Sequence, residues 1–364
     1  MLETLISWAL LPLGVVLGQA MAKRKTLENP DPSTPGEPRL DMNLPARTDA
    51  ETVDLQMTLG SLFRKRGELD RAIQLHEAVL ARPGLSADEA ARARLELAQD
   101  FLRGGVMDRA EELLQALVSD GEHLAEALEL LLDLHEQGRD WQQAMRTAAR
   151  LQAVQGKSQA RRIAHHHCEL AENARHDGDL ATAHQRAEKA LDSDHGCARA
   201  SLLLASLAEA AKDWNAAIKA YGKAIEQDTR YLPEILVPMQ RCHQESDRTE
   251  AYRQFLDDAE ADHPDSLAVV LAKAETLVDQ GDNAQAYLAA RLMKTPSWRG
   301  LLAWVDASMP GFDTAASLTG AYRKRLQAQP RYACSSCGLK PGVLFWQCPS
   351  CKQWATIAPA KDEL

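Results

Sequence analysis

Aromatic residues are scarce in this chain, at 5% of 364 positions, and cysteine is rare until its end: only Cys168, Cys197 and Cys242 precede a cluster at 334 to 351. Seven cysteines split in this way exclude a secreted disulfide framework and point to a reducing compartment with one metal site. An excess of positive charge is also missing. A formal charge of −10 and a pI near 5.6 give no global field to hold a polyanion, which argues against nucleic acid as the principal partner. The sequence has no nucleophile elbow, phosphate loop, His-Glu metalloprotease motif or dinucleotide fingerprint, so enzymatic activity is not expected.

What is present is alanine and leucine, a composition that favours helices. Residues 5 to 22, "LISWALLPLGVVLGQAMA", are predominantly apolar, and as a helix they span about 27 Å, enough to cross a bilayer core. Glu3 precedes the run and Lys23, Arg24 and Lys25 follow it, the reverse of a signal peptide. The reading is an uncleaved anchor at 1–22 with the body on the cytoplasmic side. Residues 23–50 form a basic stop and a Pro-rich linker, with five prolines between 28 and 48.

From residue 51 to 330 the chain repeats. Leu59-Gly60, Phe63, Gly67 and Ala72 return as Leu97-Ala98, Phe101, Gly105 and Ala110, and again as Leu170-Ala171, Ala174, Gly178 and Ala183. The alanines 72, 110, 144, 183, 217, 251 and 286 lie 38, 34, 39, 34, 34 and 35 residues apart. This period resembles the tetratricopeptide repeat and implies seven helix pairs with trailing helices. Small residues are expected where paired helices cross closely, and glycines where the first helix ends in a left-handed cap. Two copies depart from the pattern: Gly138 and Ala144 are one residue too far apart, and Pro238 falls where a helix interior is expected.

Residues 331–358 carry Cys334, Cys337, Cys348 and Cys351, two Cys-x-x-Cys pairs separated by ten residues. Four thiolates so spaced suit one tetrahedral ion, Zn²⁺ before iron, one per chain. Gly338 follows the first pair as the turn requires, whereas Lys352 follows the second. The module resembles a rubredoxin-type zinc ribbon, and its short loop favours a structural metal over an electron carrier. Tyr332, Phe345, Trp346 and Trp354 exceed what so small a core needs, which leaves open whether the ribbon docks on the repeats. Residues 359–364 read as a tail. Its "KDEL" is set aside as a retrieval signal because the expected orientation puts it in the cytoplasm. "HHHC" at 165–168 cannot converge on a metal from adjacent helical positions, and reads as the solvated start of a repeat. Cys168, Cys197 and Cys242 read as small buried hydrophobes, and "YRKRLQAQPR" at 322–331 as a solvated helix face near the ribbon, with contact to phosphates or an acidic partner as the alternative.

The order of anchor, "AKRK" stop, repeats, "YACSSCG" and "WQCPSC" resembles the lipopolysaccharide assembly protein B family of bacteria. The fold class it implies is all-α: a tetratricopeptide-repeat superhelix with an N-terminal transmembrane helix and a small four-cysteine zinc ribbon. It also implies an inner-membrane adaptor that brings the lipid A-committing deacetylase to a membrane AAA+ protease and contacts other envelope-assembly proteins. The alternative is a membrane-tethered scaffold without a proteolytic role. Concave positions near Arg64, Lys65, Arg175 and His176 are the expected partner surface.

Overall fold

Aspartate or asparagine recurs at the start of a second helix. Asp140, Asp179, Asp213 and Asn283 each accept, through the side chain, the backbone N–H three residues on, from Gln143, Thr182, Ala216 and Ala286 at 2.9–3.1 Å. Each such cap satisfies an orphan donor and fixes where the helix begins. Ser86 and Glu89 form a reciprocal capping box at another start. The structure is a computed structural model that describes residues 50–308 and 313–360. The expected anchor and most of the linker lie outside the described residues, as do 361–364. Among the described residues no helix is long and apolar enough to cross a membrane.

Seven helix pairs follow in order: α1 Ala50–Arg66 with α2 Leu69–Leu80, α3 Ala87–Gly104 with α4 Met107–Asp120, α5 Leu124–Gln137 with α6 Trp141–Gln155, and α7 Ala160–His176 with α8 Leu180–Ser193. Then come α9 Ala198–Ala210 with α10 Trp214–Gln227, α11 Leu232–Glu245 with α12 Thr249–Asp262, and α13 Leu267–Gln280 with α14 Ala284–Leu292. Helices α15 Trp298–Ser308 and α16 Asp313–Gln327 trail them, and strands β1 Tyr332–Cys334 and β2 Ile357–Pro359 close the ribbon. The strands are antiparallel, Cys334 opposite Ile357.

The repeat register is more regular than the sequence spacing. Ala72, Ala110, Ala144, Ala183 and Ala217 are fully buried, each four residues past its helix cap. The extra residue of the third copy is absorbed because Arg139, not Gly138, takes the left-handed conformation, at φ 56°. In the sixth and seventh copies the sequence marker is off by one. Ala251 and Ala286 are exposed, and the positions facing inward are Tyr252, which is buried, and Tyr287, which is half-buried. Pro238 lies inside α11 without ending it.

The core runs along the array rather than around one centre. Leu114, Leu117, Leu128, Leu132 and Leu151 fill one segment of it; each fully buried leucine contributes about 2 kcal/mol of transfer free energy. Ala358 of the ribbon belongs to the segment that holds Tyr231, Leu232, Ile235 and Tyr252, so ribbon and array share a core there.

Candidate metal centre and its docking face

The two cysteine pairs are built alike. In each, the first cysteine N–H donates to a carbonyl five residues on, Cys334 to Leu339 at 2.8 Å and Cys348 to Gln353 at 2.9 Å. Its carbonyl then accepts the N–H of the residue after the pair, from Gly338 at 3.0 Å and from Lys352 at 2.9 Å. That residue has positive φ in both, 75° at Gly338 and 60° at Lys352, so the second knuckle holds a side chain where glycine is favoured. The knuckle amides point inward, and Cys337 N lies 3.5 Å from Cys334 Sγ.

Cys334 Sγ is 3.8 Å from Cys351 Sγ, Cys337 Sγ is 3.6 Å from Cys348 Sγ, and all four ligand atoms lie within 4.8 Å of one another. A tetrahedral ion with metal–sulfur bonds of about 2.3 Å needs sulfur–sulfur edges of about 3.8 Å. The residues therefore fit such an ion, and the four cysteines form a potential metal site. Burial pushes the Cys334 thiol up, but Thr356 Oγ1 at 3.3 Å and the knuckle amides outweigh it and hold it down to about 6. The knuckle amide of Gln353 likewise lowers Cys351, whereas burial pushes the Cys348 thiol up to about 11, so the thiolate that a metal requires is favoured at Cys334 and Cys351 and not at Cys348. Bound there, the ion would cross-link the two knuckles and supply folding free energy to a module with only two three-residue strands.

The ribbon is seated on the array. Its Trp354 stacks on His165 at 5.0 Å between ring centres and 14° between planes, and meets Trp141 edge-on at 6.1 Å. Trp346 packs against Tyr231 at 5.0 Å, with the Arg199 guanidinium over its ring at 5.5 Å. Tyr231 donates its hydroxyl to the Ile357 carbonyl at 3.1 Å, and Tyr332 donates to Glu234 at 2.9 Å. Burial pushes both phenols up to about 12, so both remain donors.

At the centre of the seam is Glu136, buried near the end of α5. Its carboxylate accepts from His166 Nε2 at 2.7 Å, Arg162 Nε at 2.9 Å, Trp354 Nε1 at 3.2 Å and Gln347 Nε2 at 2.7 Å. Burial alone would raise its pKa; the bonds from His166 and Arg162 win and hold it below the usual range. Two of the four donors come from the array and two from the ribbon. Glu136, His165, His166, Arg199 and Glu234 all sit on first helices of their pairs, so the ribbon straps the first-helix face from the third pair to the sixth.

This overturns one expectation. His165 and His166 are buried, not a solvated repeat start, because the aromatic residues of the ribbon cover them. They converge on no metal; they pack on Trp354 and bond Glu136. The surplus tryptophans of the ribbon were the sequence signal for this contact, and the histidines gave none. Cys168, Cys197 and Cys242 are buried as expected.

The four expected partner-facing cations differ in placement. Arg64 bridges α1 to α3, pairing with Glu96 at 2.5 Å and Asp100 at 2.8 Å, with 11% of its side chain exposed. Lys65 is exposed, Arg175 pairs with Glu172 at 2.7 Å, and His176 is 89% exposed. The structure brings none of them to the ribbon seam.

Comparison with known proteins agrees with this build. The description "Rubredoxin metal binding domain" matches residues 332–359, and "Tetratricopeptide repeat" matches 57–123 and 168–231. Lipopolysaccharide assembly protein B of Escherichia coli (strain K12) is 30% identical over 322 residues, 86% of this chain and 83% of that protein. The protein of that name from Haemophilus influenzae is 31% identical over 317 residues, 85% and 80% of the two chains. Among solved structures, that of MamA protein is 23% identical with a TM-score of 0.34, covering 50% of this chain and 96% of that one. On the length and identity of its curated relatives, the chain belongs to the lipopolysaccharide assembly protein B family.

Proposed function

We propose that this protein is an adaptor in lipopolysaccharide assembly, held at the inner membrane by residues 5–22 with its body on the cytoplasmic side. Relatives are named as assembly proteins and the body is a tetratricopeptide array, a build that works by binding; the chain is not an enzyme. The observation that carries the reading is the ribbon strapped across pairs three to six. Among the described residues it leaves the first-helix face of pairs one and two uncovered, with a cleft of about 400 Å³ lined by Ser61, Arg92, Glu96, Gln99 and His123. Exposed Lys65, and Arg175 and His176 further along, join the partner surface, whereas Arg64 acts by bracing the wall.

In this reading the metal is Zn²⁺ on Cys334, Cys337, Cys348 and Cys351, and its role is structural. The array holds the lipid A-committing deacetylase, or its regulator, near a membrane AAA+ protease. Tethering both raises their effective concentration without new chemistry. The test is the half-life of the deacetylase in cells with this protein present, depleted, or replaced by Cys348→Ser. A longer half-life on depletion that Cys348→Ser fails to restore supports the adaptor; an unchanged half-life leaves a scaffold for envelope-assembly enzymes instead.

A further inference from the structure

The chain carries a formal charge of −10, yet residues 293–327 hold Lys294, Arg299, Arg323, Lys324 and Arg325 against only Asp306 and Asp313. The same stretch shows its large apolar side chains to solvent. Met293 is 87% exposed, Trp298 48%, Leu301 41% and Tyr322 52%. Trp298 and Tyr322 stack on one another, 5.6 Å between centres at 17°, which joins the start of α15 to the end of α16. Leu301 lies three residues past Trp298, and Arg325 three past Tyr322, so on each helix they share the exposed side of the stacked rings. Arg323 pairs with Asp306 across the two helices, while Lys294, Lys324 and Arg325 are exposed.

We infer that this end of the array is a peripheral membrane-contact surface for anionic phospholipid, separate from any segment that crosses the bilayer. Three features select that occupant. Tryptophan and tyrosine with a polar edge and an apolar body are the side chains that settle at headgroup level. Flanking lysine and arginine are drawn to the negative surface potential of an anionic leaflet. The apolar and basic side chains also occur together, with Met293, Trp298 and Tyr322 exposed alongside Lys294, Lys324 and Arg325, the combination that an anionic lipid surface takes up at once. An extended polyanion such as nucleic acid would have to run from this small basic patch over an otherwise acidic chain.

The contact is weak by itself and salt-sensitive. Its consequence is that α15 and α16 hold their end of the array against the bilayer surface. The inference does not depend on the partners proposed above.

The test uses the full chain reconstituted into vesicles of phosphatidylcholine alone or mixed with phosphatidylglycerol, each with brominated acyl chains that quench tryptophan fluorescence. The difference between the wild-type chain and Trp298→Phe isolates the signal of Trp298, because Trp8 contributes equally to both. Quenching of Trp298 is expected in the phosphatidylglycerol vesicles, falling as salt is raised. It should drop by roughly tenfold or more in docked population for Lys324→Glu with Arg325→Glu. Equal Trp298 quenching in both vesicle types, or none in either, overturns the inference; none in either while a protein partner protects Trp298 assigns the patch to that partner.

Discussion

Trp354 of the ribbon donates its indole N–H to Glu136 of α5, 3.2 Å away and 218 residues earlier in the chain. The bond is short on one scale and long on the other, and it makes the last module part of the third repeat's structure. Removing the carboxylate with Glu136→Ala leaves Arg162, His166, Trp354 and Gln347 short of their shared acceptor. Breaking one side of a buried charged network costs about 3 kcal/mol. Equilibrium urea unfolding followed by tryptophan fluorescence checks this: a midpoint unmoved by the substitution would mean the four donors find other acceptors at no cost.

Metal removal acts through the same seam. Chelation, or Cys348→Ser, takes away apparent folding free energy on the order of 10 kcal/mol from the ribbon. The ribbon contributes Ala358 and the Tyr231–Ile357 bond to the core of the fifth and sixth pairs, so these should loosen as well. Far-UV circular dichroism is expected to stay largely helical while the melting temperature falls and Trp141 and Trp354 become accessible to a soluble quencher. An unchanged melting temperature in the metal-free chain would show that the array does not depend on its strap.

The helical body was legible in the sequence because close helix crossings demand small side chains, and those recur at Ala72, Ala110, Ala144, Ala183 and Ala217. The four cysteines were legible because their spacing alone suits a tetrahedral ion. The seam was not. His165 and His166 look like surface residues when the helix is read by itself, since Ala164, Cys168 and Ala171 already supply its apolar stripe. Their burial comes from a second face, covered by residues nearly 200 positions later, and no local period encodes that. Arg139 and Tyr252 were missed for a smaller reason: a residue other than glycine accepted positive φ in one copy, and tyrosine replaced alanine in the other.

Acid should weaken the chain through the histidines of α7. Burial, and then the charges of Arg199 and Arg161, hold His165 well below 6.5, and burial draws His167 down to about 4. Both are neutral in the folded chain at pH 7. In the unfolded chain they take up protons from about pH 6.5 downward. The unfolded state then binds more protons, so their contribution is fully present above about 6.5 and is lost as pH falls toward 4. The urea midpoint should drop over that interval, and drop less in a chain carrying His165→Gln and His167→Gln. An equal drop in both chains would place the acid sensitivity elsewhere.

The first pair offers a test of how tightly the repeats are packed. In four of the pairs, buried positions sixteen residues apart combine a small with a large side chain: Ala98 with Leu114, Leu132 with Ala148, Ala205 with Tyr221, and Gly60 with His76, whereas the fourth pair has alanine at both, Ala171 and Ala187. His76 is fully buried, with Nδ1 2.5 Å from Asp100, which is itself paired to Arg64. A methyl group on Gly60 would lie 2.3 Å from His76 Nε2 and 2.7 Å from its Cε1, and the ring cannot retreat without leaving Asp100. Overpacking of this kind costs about 1–3 kcal/mol, and Gly60→Ala should fall at the upper end because it also strains the buried His76–Asp100 hydrogen bond. Adding His76→Leu copies the Ala98–Leu114 arrangement of the next pair, removes the clash, and leaves Asp100 to Arg64 alone. The double variant is therefore expected to unfold at a higher urea concentration than Gly60→Ala and a lower one than the parent chain. If Gly60→Ala were as stable as the parent, the glycine would be there for no packing reason, and the volume-trading account of the helix crossings would fail at its tightest point.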